Sequence, residues 1–509
     1  MRARKSIYNV IFGIISQIII IALGIIVPRV TLTNYGSDVN GYTSTVRQIF
    51  TYMALLEAGI GQSTLNSLYE PVARSDRGKI SSLLTASLKY YRKITKGYFG
   101  LVLVMSFALP FALNTDINPL TAGFVVFFEG LSAVIGFYYL EAWKQLLSAD
   151  GRYYVTQNLS MMGTVLVYGM KIVLSCMGVN IAVIQAGNFV VSLVQMIAYK
   201  IYCRKKYYWI DFSAEPDNSA LKDRYSFMAS QAAATVFSST DMIVLSVFSG
   251  TLMASVYSVY NLIYSNLNNL LNAIYFGLIF ILGQTWKADK EKYPRLHDAF
   301  DGMSMWMITA TMSVAYILTM PFVTIYTSGI EDVNYIYSSL PFLFALVQLL
   351  SWSRYVSGNL VTLAGYAKQV SKISLLEAAI NLILSIVLVG RFGIVGALFA
   401  TVIALPVKVI YCLYVGNRKV MQRSLVNSLK ILIVNYILFG LAVLFQAKMD
   451  LGIQGIADFL KAGVMISAVI YPLYFIVNIV TNAAMRMYVV QICKKFIGRM
   501  GGKKIEQRL

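Results

Sequence analysis

Several ionisable side chains lie inside stretches of this sequence that are otherwise apolar enough to cross a lipid bilayer. They are Arg47, Glu57, Glu129, Glu141, Lys171, Asp241, Arg354, Glu377 and Lys408. A charge at the centre of a membrane helix costs about 2.5–3.5 kcal/mol on insertion scales, so each should face a cavity, a partner or an interface. An arginine-lined cavity suits phosphate or diphosphate, because the guanidinium offers a planar fork to two oxygens and stays protonated.

Four of these residues are candidates for binding an anionic substrate within the membrane: Arg47, Arg354, Lys171 and Lys408. The competing interpretation is snorkelling, in which the long stem carries the charge to the lipid headgroups and the residue has no further role. Arg354 lies in LLSWSRYVSGNL, whose serines indicate a wet helix face. Both lysines lie about two turns from a predicted helix end. Snorkelling therefore stays open for each cation and is least favoured for Arg354.

Glu57 follows Arg47 by ten residues in TSTVRQIFTYMALLEAGIGQ. On one helix this spacing separates the two side chains by about 280° and about 15 Å, so they cannot pair with each other. Three interpretations of Glu57 stay open. It balances a cation on a neighbouring helix, it closes the cytoplasmic end of a substrate path as a gate, or it is an interfacial carboxylate.

Carboxylates and amides on two later helices could bind a cation. Asp241 lies near mid-membrane, and Glu377 and Asn381 lie at i and i+4 on one helix face. If that face contacts Asp241, the oxygens would form a site for Na⁺ or a proton, and binding of this cation could drive transport. The alternative is that Glu377 lies too close to the cytoplasmic surface.

A polar stripe follows in VYSVYNLIYSNLNNLLNAIYFG, where Tyr260, Tyr264, Asn268 and Asn272 are spaced four residues apart. Tyrosine and asparagine suit sugar hydroxyls, because they combine flat apolar surface with hydrogen-bonding groups. Hydrogen bonding between helices explains the same stripe equally well.

The elements that must position these residues are apolar runs of about 20 residues, the length that spans about 30 Å of hydrocarbon as a helix. The 509-residue chain is 58% hydrophobic and 13% charged. We predict an all-α integral membrane protein with about fourteen spans. The predicted spans are 7–30, 42–66, 97–114, 121–143, 155–177, 182–202, 226–249, 254–284, 303–326, 337–362, 373–390, 394–415, 430–447 and 460–482.

The net charge is +20, and the basic residues lie in short loops between the apolar runs. This placement indicates that they set the orientation in the membrane and contact anionic lipid, rather than bind nucleic acid. The bias of Lys and Arg places both termini in the cytoplasm. The first span is too long for a signal peptide and should be a retained anchor. The four cysteines lack metal or disulfide spacing, and the single histidine, His297, nearly excludes imidazole relays.

A weak repeat at a shift of 214 residues pairs Gly36 with Gly250, Gly151 with Gly365, and Arg204 with Arg418. It predicts two six-helix lobes, 1–212 and 213–425, in parallel orientation around a substrate path. An additional helix pair, 426–485, and a basic cytoplasmic tail, 486–509, complete the predicted organisation.

A first helix ending in PRV, followed by YGSDVNGYTSTVRQIFTYMALLEAGIGQSTLNSLYEPVA, resembles the opening of Wzx-type polysaccharide flippases. These belong to the multidrug/oligosaccharidyl-lipid/polysaccharide (MOP) exporter superfamily. The resemblance implies a two-lobed transporter that moves an undecaprenyl-diphosphate-linked oligosaccharide to the outer leaflet of a bacterial cell membrane by alternating access. It also implies that Arg47 lines the cavity, and that Asp241, Glu377, Asn381 and Thr401 lie on the helices that carry a sodium site in some relatives.

The resemblance implies no enzymatic activity and no cofactor beyond coupling to Na⁺ or H⁺, with polysaccharide assembly enzymes and membrane lipids as partners. Three other functions stay open: a cation-coupled multidrug antiporter, a membrane glycan polymerase or ligase, and a scaffold for glycan enzymes. Short outward loops disfavour the enzyme. Arginines in a cavity disfavour the antiporter, whose cationic substrates would favour acidic residues.

Overall fold

The computed structural model describes residues 2–221, 224–446, 451–453 and 455–491, and throughout these ranges the regular structure is helical. The fold is all-α, as predicted. The α-helices in chain order are α1 (Arg2–Met53), α2 (Leu55–Arg74), α3 (Arg77–Ala112), α4 (Pro119–Ile135), α5 (Glu141–Ala149), α6 (Tyr153–Cys176), α7 (Ile181–Lys206), α8 (Arg224–Ala288), α9 (Tyr293–Tyr326), α10 (Leu340–Trp352), α11 (Tyr355–Val361), α12 (Ala367–Tyr414), α13 (Val426–Gln446) and α14 (Ile456–Thr481).

Short irregular turns join several of these helices. π-helical turns follow α4, α11 and α12, and one 3₁₀ turn precedes α8. Side chains also fix where helices begin. Asp76 accepts the backbone N–H of Lys79 at 3.0 Å at the start of α3, and Asn118 and Asn180 cap α4 and α7 in the same way.

The three longest helices, α1, α8 and α12, each contain one residue with non-helical backbone, and each time it is a glycine. These residues are Gly36, Gly250 and Gly393, with φ of 80°, 85° and 54°. Glycine tolerates positive φ because it has no Cβ. Each break falls in the gap between two predicted spans, so one long helical run contains two of the predicted crossings.

The glycines of the 214-residue repeat share positive φ. Gly36 and Gly250 have nearly the same backbone angles, with ψ of 176° and 167°. Gly151 and Gly365 both have positive φ, 69° and 94°. Gly36 and Gly250 thus adopt the same unusual backbone region and the second pair shares positive φ, while the internal repeat stays a prediction.

Nine helical segments of the described ranges are long and apolar enough to cross a membrane. The chain is a multi-pass membrane protein, and the number fourteen stays a prediction. Two helices begin well before the predicted spans: α3 begins at Arg77 rather than near residue 97, and α9 begins at Tyr293 rather than near residue 303. The first turns of both helices carry charged residues, which a hydropathy window assigns to a loop although the helix continues through them.

The chain divides into two compact units, which differ in boundaries from the predicted lobes. Unit 1 comprises residues 1–258 and 329–333, and unit 2 comprises residues 259–328 and 334–509. Within unit 2, α9 is central, because 61% of its most apolar window is buried, compared with 17% for α14. Helices α10, α13 and α14 pack around α9. The predicted lobe and helix-pair boundaries stay predictions.

Within unit 1, one face of the second half of α1 packs closely on α8. A Cβ at Gly41 would lie 1.8 Å from the carbonyl oxygen of Thr251, so only glycine permits this approach. The hydroxyls of Thr45 and Ser246 hydrogen-bond across the same contact. Arg47 follows Thr45 by two residues, about 200° around the helix, so it points away from α8. The close packing of α1 thereby sets the direction of its arginine.

Candidate functional site

Charged and amide side chains from four helices of unit 1 interact in a group that includes Arg47. The Arg47 cluster consists of Arg47 on α1, Lys171 on α6, Glu129 on α4, and Gln185 and Asn188 on α7. Helix α1 packs on α6, and α4 packs on α7. The charges of both Arg47 and Glu129 act on the ammonium group of Lys171. Four helices therefore bring together groups that are far apart in the sequence.

The Glu129 carboxylate is held by an amide, and no described cation makes an ion pair with it. Gln185 Nε2 donates a hydrogen bond to Glu129 Oε2, and Asn188 Nδ2 donates to Gln185 Oε1 at 2.6 Å. Gln185 and Asn188 are both buried. Asn188 Oδ1 is buried without a hydrogen-bond partner among the described residues, an unsatisfied acceptor within the cluster.

Arg47 is exposed, and its guanidinium makes no ion pair or hydrogen bond with any residue that the structure describes. The cluster holds two cations and one carboxylate, an excess of one positive charge. Arg47 thus has donors available for the bidentate recognition of a phosphoryl group, with Lys171 adding positive potential beside it.

A second cluster in unit 2 contains the same charge types in a different arrangement. The Arg354 cluster consists of Arg354, Glu377, Lys408, Asn381 and Thr401. Arg354 Nη1 donates directly to Glu377 Oε1, and the two side chains are only 14% and 2% exposed. The charge of Lys408 acts on Glu377. Here the arginine is already neutralised by a buried carboxylate.

A helix break positions Arg354. Helix α10 ends at Trp352 and α11 begins at Tyr355, so Arg354 lies at the junction. The hydroxyl of Ser353 donates to the carbonyl of Leu349 at 2.9 Å, a local bond that competes with continued helix geometry. Ser353 and Ser357, two of the serines from which a wet helix face was expected, are buried near this interruption and hydrogen-bond to other side chains of the protein.

The predicted cation-coupling residues are divided between the units. In unit 2, Asn381 Nδ2 donates to Thr401 Oγ1 at 2.8 Å, and Asn381 Oδ1 is buried without a hydrogen-bond partner in the described ranges. Glu377 shares this helix face and pairs with Arg354. Asp241 is buried in unit 1, and its charge acts on Tyr52. The four-residue cation site stays a prediction.

The structure places the predicted glycan residues in helix packing. Tyr260 and Tyr264 are fully buried and donate to the carbonyls of Tyr335 and Pro341 at 2.8 and 2.9 Å. Asn268 Oδ1 accepts from the Trp352 indole at 2.8 Å. In this conformation the polar groups of Tyr260, Tyr264 and Asn268 make hydrogen bonds between helices, which was the alternative interpretation of the stripe. Their role in binding a glycan stays a prediction. The Glu57 side chain lies outside the described residues.

Sequence reasoning missed a buried polar network at the start of α9. Arg423 Nη1 donates to Asp298 Oδ2 at 2.9 Å, and His297 Nε2 lies 3.1 Å from the hydroxyl of Ser357. His297 is fully buried. A helical signal was present, because a proline precedes apolar residues spaced three and four apart in YPRLHDAFDGM. Among the residues with described positions, no group of three or more His, Cys, Asp and Glu side chains could hold a metal ion.

Solved structures with a similar fold are membrane transporters. One is the lipid II flippase MurJ in an inward closed conformation, at TM-score 0.64 and 13% identity, covering 91% of this chain and 98% of that one. Another is an inward-facing multidrug resistance MATE family transporter of the MOP superfamily, at 0.62 and 14%, covering 77% and 93%.

A third similar structure is a MOP superfamily transporter from Pyrococcus furiosus Vc1, for which a reversed binding-pocket polarity suggests a different function. Its TM-score is 0.59 at 12% identity, over 81% of this chain and 95% of that one. No protein-family model and no curated protein matches the sequence. The chain therefore has the fold of MOP superfamily transporters.

Proposed function

We propose that this protein is an alternating-access transporter that moves an undecaprenyl-diphosphate-linked oligosaccharide from the cytoplasmic to the outer leaflet of a bacterial cell membrane. Two observations support the proposal. The fold is shared with a lipid II flippase and with MATE transporters. The exposed Arg47 guanidinium has no partner within the described part of the chain and lies beside Lys171. The second observation carries the proposal, because it favours an anionic substrate.

In this proposal Arg47 and Lys171 bind the diphosphate. Burying a phosphorylated head group in hydrocarbon is costly, whereas charge-assisted hydrogen bonds in a hydrated cavity replace its lost water. Gln185 and Asn188 hold Glu129 in position, so the carboxylate limits the positive potential without occupying the Arg47 donors. The lipid tail remains in the bilayer while the charged and hydroxylated part passes through the protein.

The Arg354 cluster has a separate part in the proposal. Arg354 and Lys408 become available to the diphosphate when Glu377 is neutralised by a proton or a bound cation. Coupling to Na⁺ or H⁺ would then act through Glu377, Asn381 and Thr401, with Asp241 as the fourth predicted residue. The buried Asn381 Oδ1 without a partner supports this idea, since it is an acceptor that a cation could use.

The decisive experiment compares Arg47→Ala with Arg391→Ala in proteoliposomes containing a fluorescent undecaprenyl-diphosphate-linked glycan. We expect Arg47→Ala to abolish turnover. The control removes an exposed arginine from α12 and should retain activity. Arg47→Lys keeps the charge but loses the bidentate fork, so we expect it to retain a small fraction of the rate. Full turnover by Arg47→Ala would remove Arg47 from the mechanism.

A multidrug antiporter is the principal alternative, because MATE transporters share the fold. Such a protein would bind cationic dyes in preference to diphosphates. Binding of ethidium and of a short-chain prenyl diphosphate to the purified protein, measured by tryptophan fluorescence, separates the two functions. Binding of ethidium that competes with protons, together with no binding of the diphosphate, would refute the flippase proposal.

A further inference from the structure

We propose that a cavity at one end of unit 2 binds a phosphate group, at a site separate from the two clusters described above. The cavity has a volume of about 340 Å³. It is formed by the first turns of α9 and α13 and by the chain just after α14. Its charged and polar lining includes Arg295 and Asp298 from α9, Asn427 and Lys430 from α13, and Thr481.

The charge balance of the cavity lining is positive. Among the described residues that line it, Asp298 is the only acid, and its carboxylate already accepts hydrogen bonds from Arg423 at both oxygens and from Asn427 Nδ2 at 3.2 Å. Neither Arg295 nor Lys430 makes an ion pair with any described residue. Within the described part of the chain, two cations therefore face one cavity without a carboxylate paired to either, and an anion would supply the counter-charge.

The part of the cavity next to Asp298 is built from a fixed network. Asn482 Nδ2 donates to the backbone carbonyl of Asp298 at 2.8 Å, and the Met485 N–H donates to Asn482 Oδ1 at 3.1 Å. A Cβ at Gly302 would lie 2.3 Å from Asn482 Nδ2, so α9 and this segment approach closely. The cavity wall is thus held in place before any ligand binds, which lowers the ordering cost of binding.

Size and position favour phosphate over a smaller anion such as chloride. The cavity could hold about ten water molecules at about 30 Å³ each, enough for a phosphate and a group esterified to it. Arg295 and Lys430 lie in the first turns of two long helices, where the backbone dipoles add to the positive potential. On the predicted topology this end of unit 2 is cytoplasmic, so the phosphate belongs either to an anionic lipid of the inner leaflet or to a soluble phosphorylated compound.

The first experiment uses inorganic phosphate with the purified full-length protein at constant ionic strength, followed by ³¹P NMR line broadening. We expect Arg295→Gln/Lys430→Gln to weaken binding by about tenfold or more, because two charge-assisted contacts are lost. The control, Lys368→Gln/Lys372→Gln, removes two exposed cations from the first turns of α12 and should bind like the unmodified protein. Equal binding by the two double variants would overturn the proposal.

A second arm identifies the source of the phosphate. The protein in nanodiscs of phosphatidylcholine with phosphatidylglycerol is examined by native mass spectrometry. Retention of phosphatidylglycerol that is lost in Arg295→Gln/Lys430→Gln but not in the control would assign an anionic lipid. Retention that is equal in all three proteins, together with specific binding of inorganic phosphate, would assign a soluble ligand. No binding in either arm would overturn the site.

The double variant must fold for these results to be interpreted. Both cations are exposed, so thermal unfolding should be unchanged. If the double variant unfolds, the single variants Arg295→Gln and Lys430→Gln replace it, and each should weaken phosphate binding by about threefold. Because this cavity contains no residue of the Arg47 or Arg354 cluster, its loss would leave the proposed transport function intact.

Discussion

The Arg47 and Arg354 clusters contain the same charged types, two cations and one carboxylate, yet they are arranged for different tasks. In the Arg47 cluster the carboxylate of Glu129 is held by the amide of Gln185, and the arginine stays exposed. In the Arg354 cluster the arginine pairs with the buried carboxylate of Glu377. An exposed guanidinium is available to a ligand. The buried pair of Arg354 and Glu377 must separate before the arginine can bind a ligand, so the second cluster is suited to controlling when binding occurs.

The largest effect should come from breaking the buried pair. Glu377→Ala leaves the Arg354 guanidinium and the Lys408 ammonium without their carboxylate, and removing one partner of a buried ion pair costs about 3–5 kcal/mol. Thermal unfolding in detergent should shift down by several degrees. Replacing both partners, Arg354→Leu/Glu377→Leu, should recover most of the loss.

A matched control is available in unit 1. Glu141 pairs with Lys144 at 2.6 Å, and these side chains are more exposed, at 16% and 28%. Glu141→Ala should therefore cost much less stability than Glu377→Ala. Equal losses would show that burial does not distinguish the two pairs, and the contrast between the clusters would fail.

The next effect concerns anion affinity in the Arg47 cluster. Glu129→Gln keeps the hydrogen bond from Gln185 but removes the negative charge that acts on Lys171. The excess positive charge rises from one to two. Removing one charge near an exposed site changes the interaction energy by about 1 kcal/mol, or about fivefold in affinity. Isothermal calorimetry with a short-chain prenyl diphosphate at low salt should detect tighter binding, and weaker binding would contradict this role for the carboxylate.

A smaller effect should come from the neutral contact beside the buried pair. Thr401→Val removes the hydroxyl that accepts from Asn381 at 2.8 Å. Hydrogen bonds between membrane helices contribute about 0.6 kcal/mol on average, so the expected loss of stability is of that order. If Na⁺ raises the unfolding temperature of the unmodified protein but not of Thr401→Val, the cation assignment gains support. An equal response of both proteins would remove Thr401 from that site.

The smallest effect should come from an ion pair outside the apolar segments. The bond from Lys79 and the backbone N–H of Ser219 lower the pKa of Asp217 to about 2. A carboxylate with a lowered pKa contributes stability above its ordinary value near 3.8 and loses that contribution as the pH falls through about 2. Asp217→Asn should flatten this part of the stability curve and change little at neutral pH, since the Lys79 side chain is 49% exposed. A large change at pH 7 would show that the pair is stronger than its exposure indicates.

Much of the fold could be predicted because its signals are local. Runs of apolar residues predict helices, and the 214-residue shift identified glycines that share positive φ, such as Gly36 and Gly250. The predicted helix boundaries were less accurate where charged residues interrupt the apolar pattern. The predicted span begins ten residues after the true start of α9. The prediction missed these residues because the first turns of the helix carry the polar side chains of Arg295, His297 and Asp298. Asp298 pairs with Arg423, which lies 125 residues away, and a hydropathy window cannot include so distant a partner.

The sequence by itself determined the class of the protein, its helices and the list of charges that need an explanation, because each follows from the cost of polar groups in hydrocarbon. Only the tertiary structure decided the environment of each charge. Arg47 and Arg354 look alike in the sequence, but one is exposed beside Lys171 and the other is paired with Glu377. The reason is that a side chain's partners come from other helices, and the direction in which it points depends on how its own helix packs, as at Gly41.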